Sequence, residues 1–137
     1  MKIDYLVEGD WVLWWHPRKE SWVPFKITIE VLAVYKRDYN FDAQDLKPIE
    51  LTPELLEKNG FIKRNGFTNN NISWNEWVSP GGRIIINNNQ EIINSNNIWA
   101  IHIDNEDMES IGNAELSYFH ELQHIYKFHK IEKEFKV

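Results

Sequence analysis

Residues 119 to 125 read Phe119-His120-Glu121-Leu122-Gln123-His124-Ile125, and the middle five fit the H-E-x-x-H pattern of many zinc peptidases. On a helix, histidines four apart point the same way, so His120 and His124 could hold one zinc ion while Glu121 polarises a bound water. A catalytic zinc needs three protein ligands, and the third is not evident. Only thirteen residues follow His124, and among them Glu132 and Glu134 lie too close along the chain to fold back. His129 comes five residues after His124 rather than six, which places it about 140° around a helix. With Leu122 as the buried direction, Tyr118, Phe119, Ile125 and Tyr126 gather within about 60° of it, whereas His120 and His124 lie about 160° away. The expectation is an amphipathic helix with both histidines turned to solvent or to a partner. No catalytic residue and no metal ligand is assigned; His120 and His124 are the pair to test.

The second cluster is aromatic. Trp11, Trp14, Trp15, Trp22, Tyr35, Tyr39 and Phe41 fall within 31 residues. Because Trp14 alternates with Trp11 and Trp15 along one strand, both faces of that strand carry indole, and both cannot be core of one small sheet. One face is a candidate binding surface, with Trp11, Trp14, Trp15, Trp22 and Tyr39 as its residues. Exposed aromatics can cage cations, stack on bases or anchor a peptide.

Other clusters carry less. Asp104-Asn105-Glu106-Asp107-Met108-Glu109 holds four acids in six residues but lacks the alternating oxygen ligands and central glycine of a calcium loop. It reads as a solvated acidic turn. Ser79-Pro80-Gly81-Gly82-Arg83 precedes a strand rather than a helix, so its glycines serve turn geometry and not a phosphate. Lys127, Lys130, Lys133 and Lys136 are interrupted by Glu132 and Glu134 and read as a solvated tail.

These residues need elements to hold them. Glu8-Gly9-Asp10 is a turn that launches Trp11 to Trp15, and His16 to Ser21 closes a hairpin. From Val23 to Ala33 apolar and polar residues alternate, which predicts a half-buried strand, bent or broken once. A polar loop spans Lys36 to Asp45, and Leu46 to Leu51 adds a short strand. Thr52-Pro53-Glu54 and Asn59-Gly60 are start and stop signals of a short helix. Phe61–Arg64, Ser73–Val78, Arg83–Ile86, Gln90–Ile93 and Ile98–Ile103 then predict an antiparallel meander, with a further strand from Ser110 to Ser117 and a helix from Tyr118 to about His129. The fold expected is α+β: an SH3-like curled antiparallel sheet over 1–51, a linking helix over 52–60, and over 61–137 a meander with the C-terminal helix packed on it.

Three segments together resemble a known family: Gly9-Asp10-Trp11-Val12, the run from Leu46 to Phe61 (LKPIELTPELLEKNGF), and Tyr118 to Tyr126 (YFHELQHIY). They are similar to small proteins from Bacteroidetes genomes, prophages and mobile elements, with signatures close to I-x-P-I-x-L-T-x-x-I-L-x-x-x-G-F and V-H-x-L-Q-N-L-Y. This chain has Phe119 where valine is usual and His124 where asparagine is usual, and the latter alone completes the zinc pattern. The resemblance implies an accessory protein of a phage or mobile element, in the cytoplasm of a bacterial host with virion association as a variant, and brings no assigned activity.

Composition limits the classes. In 137 residues one core, or two small ones, can be buried. No apolar run approaches the roughly 20 residues of a membrane helix, and Asp4, Glu8 and Asp10 interrupt any signal-peptide core. With no cysteine, disulfides, thiolate metal sites and cysteine nucleophiles are excluded. The net charge of −6 divides as −2 over residues 1–50 and −4 over the rest, a field that repels a polyanion. Fifteen asparagines, including the runs 69–71 and 87–89, mark loops. The function expected is a non-enzymatic, cofactor-free protein-interaction module with a protein partner. The alternatives are a zinc hydrolase on HELQH and nucleic-acid or nucleotide binding through the aromatic sheet.

Overall fold

A computed structural model of the chain describes residues 6–37, 45–67, 73–87 and 98–137. The elements in order are β1 (Trp11–His16), β2 (Ser21–Lys26), α1 (Ile29–Arg37), β3 (Leu46–Pro48), α2 (Pro53–Lys58), β4 (Ile62–Phe67), β5 (Ser73–Val78), β6 (Ile84–Asn87), β7 (Trp99–Asp104), β8 (Ser110–Leu116) and α3 (Phe119–Phe128). Among the described residues, two antiparallel sheets and three helices make this an α+β protein. The expected strand at Gln90–Ile93 lies outside the described residues, as do Tyr39 and Phe41.

The chain divides into two units, one made of residues 1–50 with 118–135 and Val137, the other of residues 51–117 with Lys136. In the first, the three strands run in the order β2-β1-β3. Leu6, Val12, Ile27, Leu32 and Leu46 form its core, with Trp14, Phe25 and Val31 packed on them. Strand alternation puts Val12 and Trp14 on the core face, opposite Phe25, Val23 and Leu46, and turns Trp11, Leu13 and Trp15 to the other face. Each large apolar side chain withdrawn from water here contributes about 1.5–3 kcal/mol.

The alternating run Val23 to Ala33 does not continue as a strand beyond Lys26: Ile29–Arg37 is a helix. Thr28 explains the switch, because its hydroxyl accepts the N–H of Val31 and its carbonyl the N–H of Leu32, while Glu30 places a negative charge in the first turn. Grouping by contacts also places α3 with the N-terminal sheet, where it meets β1, rather than with the meander as expected from chain order. Phe119 N–H bonds to the Ile49 carbonyl at 2.8 Å, and Tyr118 bridges Glu50, so the start of the helix is registered on the end of the N-terminal segment.

The second unit is a five-stranded meander, β4-β5-β6-β7-β8, every neighbouring pair antiparallel. Trp77, Ile84, Ile86, Trp99, Ile101, Ile103 and Leu116 bury one face, and α2, which meets β4 and β5, buries Leu55 and Leu56. Trp77 and Trp99 meet edge to face at 5.4 Å. Thr52 caps α2 by accepting the Leu55 N–H, and buried Asn59 ends it, its side chain exchanging hydrogen bonds with the Lys136 backbone at 2.8 and 2.7 Å. At Ser79–Arg83 the turn needs its glycines, since Gly81 and Gly82 have φ of 86° and 78°.

Candidate functional site

The C-terminal helix buries Phe119, His120, Leu122, Gln123 and Tyr126. At 100° per residue these span an arc of about 160° centred near Gln123, not near Leu122. The displacement has a polar cause. Gln123 accepts the Trp11 N–H through Oε1 at 2.8 Å and donates from Nε2 to the Gly9 carbonyl at 3.0 Å, so a carboxamide satisfies backbone groups at the head of β1.

That rotation corrects the expectation of solvent-facing histidines. His120 is 5% exposed, and the His124 side chain is only a third exposed. His124 Nε2 lies 2.7 Å from Oδ2 of Asp10, a carboxylate with no solvent exposure. The same Oδ2 accepts the Val7 N–H at 2.9 Å. Among the described residues Oδ1 has no hydrogen-bond partner; Lys127 Nζ is 3.9 Å away and donates to the Glu8 carbonyl at 2.8 Å. A buried carboxylate with a peptide N–H, an imidazole and an ammonium around it is compensated by structure, and the group staples the Val7–Asp10 turn to α3.

His120 sits in the same cluster, its ring stacked parallel on Tyr118 at 6.0 Å and edge to face with His124 at 5.6 Å. Burial holds its pKa below the ordinary 6.5, with the neighbouring Asp10 charge opposing that shift, His124 adding to it and Glu121 opposing it. Nδ1 of His120 is buried without a hydrogen-bond partner among the described residues. Among the described residues no group of three or more His, Asp or Glu side chains is arranged to hold a metal ion. Asp10 is the carboxylate nearest the two histidines, and it engages His124 Nε2 directly at 2.7 Å as a hydrogen-bond partner.

The tryptophans separate into three environments. Trp14 is on the core face, with Phe25 at 6.1 Å. Trp11 is on the opposite face, and its indole N–H donates to the Phe135 carbonyl at 3.2 Å, so the C-terminal segment covers that end. Trp15 and Trp22 are directly opposed across β1 and β2, meet edge to face at 5.6 Å, and Trp15 stays 37% exposed. Leu13 and exposed Pro24 continue the same face, and Lys47 Nζ rests 4.4 Å from the centre of the Trp22 ring. Sequence alternation showed that the indoles divide; which end of the outer face is covered depends on the far C-terminal residues. Tyr39 cannot be placed because it lies outside the described residues.

A further cluster had no sequence signal. On β7 and β8, His102 Nδ1 is 2.9 Å from Asn113 Oδ1 and Nε2 is 2.8 Å from Asp104 Oδ1. The hydrogen bond to the Asn113 oxygen, joined by the hydrogen bond to Asp104 and its charge, holds the His102 pKa above 6.5 against partial desolvation. The acidic run 104–109 is organised by Asn105, whose Oδ1 accepts the N–H groups of Asp107 and Glu109, both at 2.9 Å, which is turn architecture rather than cation ligation.

Fold and site together define an α+β protein with a buried Asp–His staple and an open aromatic sheet face. No helix among the described residues is long and apolar enough to cross a membrane. Comparison with known proteins gives no match to a family model, a curated protein or a solved structure.

Proposed function

We propose that the chain is a non-enzymatic protein-interaction module whose contact surface is the open half of the outer β1–β2 face, centred on Trp15 and Trp22. The carrying observation is that cross-strand pair: two indoles at 5.6 Å on the face away from the core, with Trp15 37% exposed. Large aromatic side chains on a rigid sheet lose little conformational entropy on binding and desolvate much apolar area, which is why tryptophan is enriched among binding hot spots. The reading includes the SH3-like character of the small sheet and, from the resemblance of its motifs, a role as an accessory protein of a phage or mobile element in a bacterial cytoplasm.

Nucleic-acid binding is the weaker alternative. Stacking needs a free ring face, whereas one face of Trp22 carries Lys47, and the net charge of −6 opposes approach of a polyanion. Affinity capture from host lysate, run in parallel with the Trp15→Ala/Trp22→Ala variant, tests the proposal. A protein retained by the wild type, lost with the variant and then shown to bind when purified supports it. Retention of the same proteins by both forms, or of single-stranded DNA in a salt-sensitive manner, overturns it.

A further inference from the structure

The surroundings of the Trp15–Trp22 pair specify the chemistry of its partner. We infer that the occupant is a short acidic segment of another protein, bound in extended form with two alternate apolar side chains on the sheet face. The inference rests on that face being the contact surface and adds the shape and charge of what it meets.

Geometry sets the shape of the segment. On the outer face Leu13 pairs with Pro24 and Trp15 with Trp22, two apolar cross-strand pairs set two residues apart along each strand, about 7 Å. Same-face side chains of an extended chain have that spacing, so residues i and i+2 of a bound segment reach one pair each. Pro24 and Trp15 are exposed and Leu13 and Trp22 half-buried, which leaves apolar area for those side chains to cover. At the other end the Phe135 carbonyl takes the Trp11 indole N–H, so the segment is confined to the open half.

Charge sets its sign. Arg18 and Lys19 are exposed in the turn after His16, next to the Trp15–Trp22 pair, and Lys47 stands opposite Leu13 on the same face. Other cations of the chain are matched: Arg64 meets Glu76 at 2.7 Å, and Lys127 approaches Asp10. Among the described residues Arg18, Lys19, Lys26 and Lys47 form no ion pair, and the Lys47 ammonium is seated on the Trp22 ring at 4.4 Å. Over residues 11–26 and 45–48 these four cations stand against two acids, Glu20 and Asp45, in a chain of net charge −6. Screening over about 8 Å at physiological salt makes this local excess the field that a segment of a few residues meets. A nucleic acid, charged at every nucleotide, extends past the face into the negative remainder.

The test uses the full chain and two synthetic heptapeptides as probes. One has leucine and phenylalanine at its third and fifth positions and glutamate elsewhere; the other has lysine in place of every glutamate. Binding is followed by the indole N–H resonance of Trp15, assigned by its loss in Trp15→Phe. The glutamate peptide is expected to shift that resonance saturably with a Kd of about 0.1–1 mM, weakening several-fold when salt is raised to about 0.5 M. The lysine peptide should give no saturable shift. Lys47→Ala should weaken the glutamate peptide about two- to five-fold, Lys47→Glu should weaken it further, and Lys47→Arg should restore it. Saturable binding of the lysine peptide, an undiminished affinity in Lys47→Glu, or tighter binding of oligothymidylate at Trp15 would each overturn the acidic assignment. Failure of the glutamate peptide to saturate would overturn it too, while lysate capture with Trp15→Ala/Trp22→Ala decides separately whether the face is a contact surface.

Discussion

Asp10 and His124, 114 residues apart in sequence, are joined by a 2.7 Å contact between a fully buried carboxylate oxygen and an imidazole nitrogen. The pair explains why the turn before β1 and the last helix belong to one unit: each supplies what the other needs to bury a charge. Removing one partner leaves the other in a place built for two.

The expected consequence is a strongly non-additive double-mutant cycle. His124→Ala should cost about 1–3 kcal/mol, because Asp10 keeps the Val7 N–H and Lys127 but loses its closest partner. Asp10→Asn should cost a similar amount, and the double variant less than the sum. Urea unfolding of the four proteins measures the coupling; additivity within a few tenths of a kcal/mol would show that the contact carries no stability.

The same contact makes a prediction about metal. With His124 Nε2 engaged by Asp10, folding should be independent of zinc, and the unfolding midpoint should be the same with and without a strong chelator. A chelator-induced fall in the midpoint, reversed by zinc and abolished in His120→Ala, would restore the hydrolase reading of HELQH.

Two histidines should give stability opposite pH dependences. His120 has its folded-state pKa below 6.5, so the stability it permits is complete above pH 6.5 and is lost as pH falls through the folded value. His102 has its folded pKa above 6.5, so its contribution is complete below 6.5 and is lost as pH rises through the folded value. The His102 effect should be the smaller, since its side chain is 38% exposed and solvent screens it. Unfolding midpoints followed from about pH 5 to about pH 8 should lose their acid-side slope in His120→Gln and their alkaline-side slope in His102→Gln. Unchanged slopes in both variants would contradict the assignment.

Adjacent tryptophans should differ sharply in substitution. Trp14→Ala removes a ring packed on the core and should cost about 2–4 kcal/mol. Trp15→Ala, at the open end of the other face, should cost less than about 1 kcal/mol. Thermal or urea melts distinguish them, and a comparable loss in both would mean that the outer face is also packed.

Where local chemistry carried the signal, the sequence was legible. Thr52, Pro53 and Gly60 delimit α2, and β5 occupies Ser73–Val78 as its flanking residues imply. Alternation along Trp11–Trp15 showed that the indoles must divide between faces. The same period misled at Val23–Ala33, where Thr28 and Glu30 start a helix and capping outweighs alternation.

What the sequence by itself determined, then, is the α+β class, most element positions and the splitting of the aromatic cluster, because propensity, capping and periodicity act over a few residues. Which unit α3 joins, that Gln123 rather than Leu122 lies at the centre of its buried arc, and that His124 answers Asp10 were decided only by tertiary structure. Each depends on a polar partner more than a hundred residues away, and a polar residue shows nothing of its partner until the chain has brought the two together.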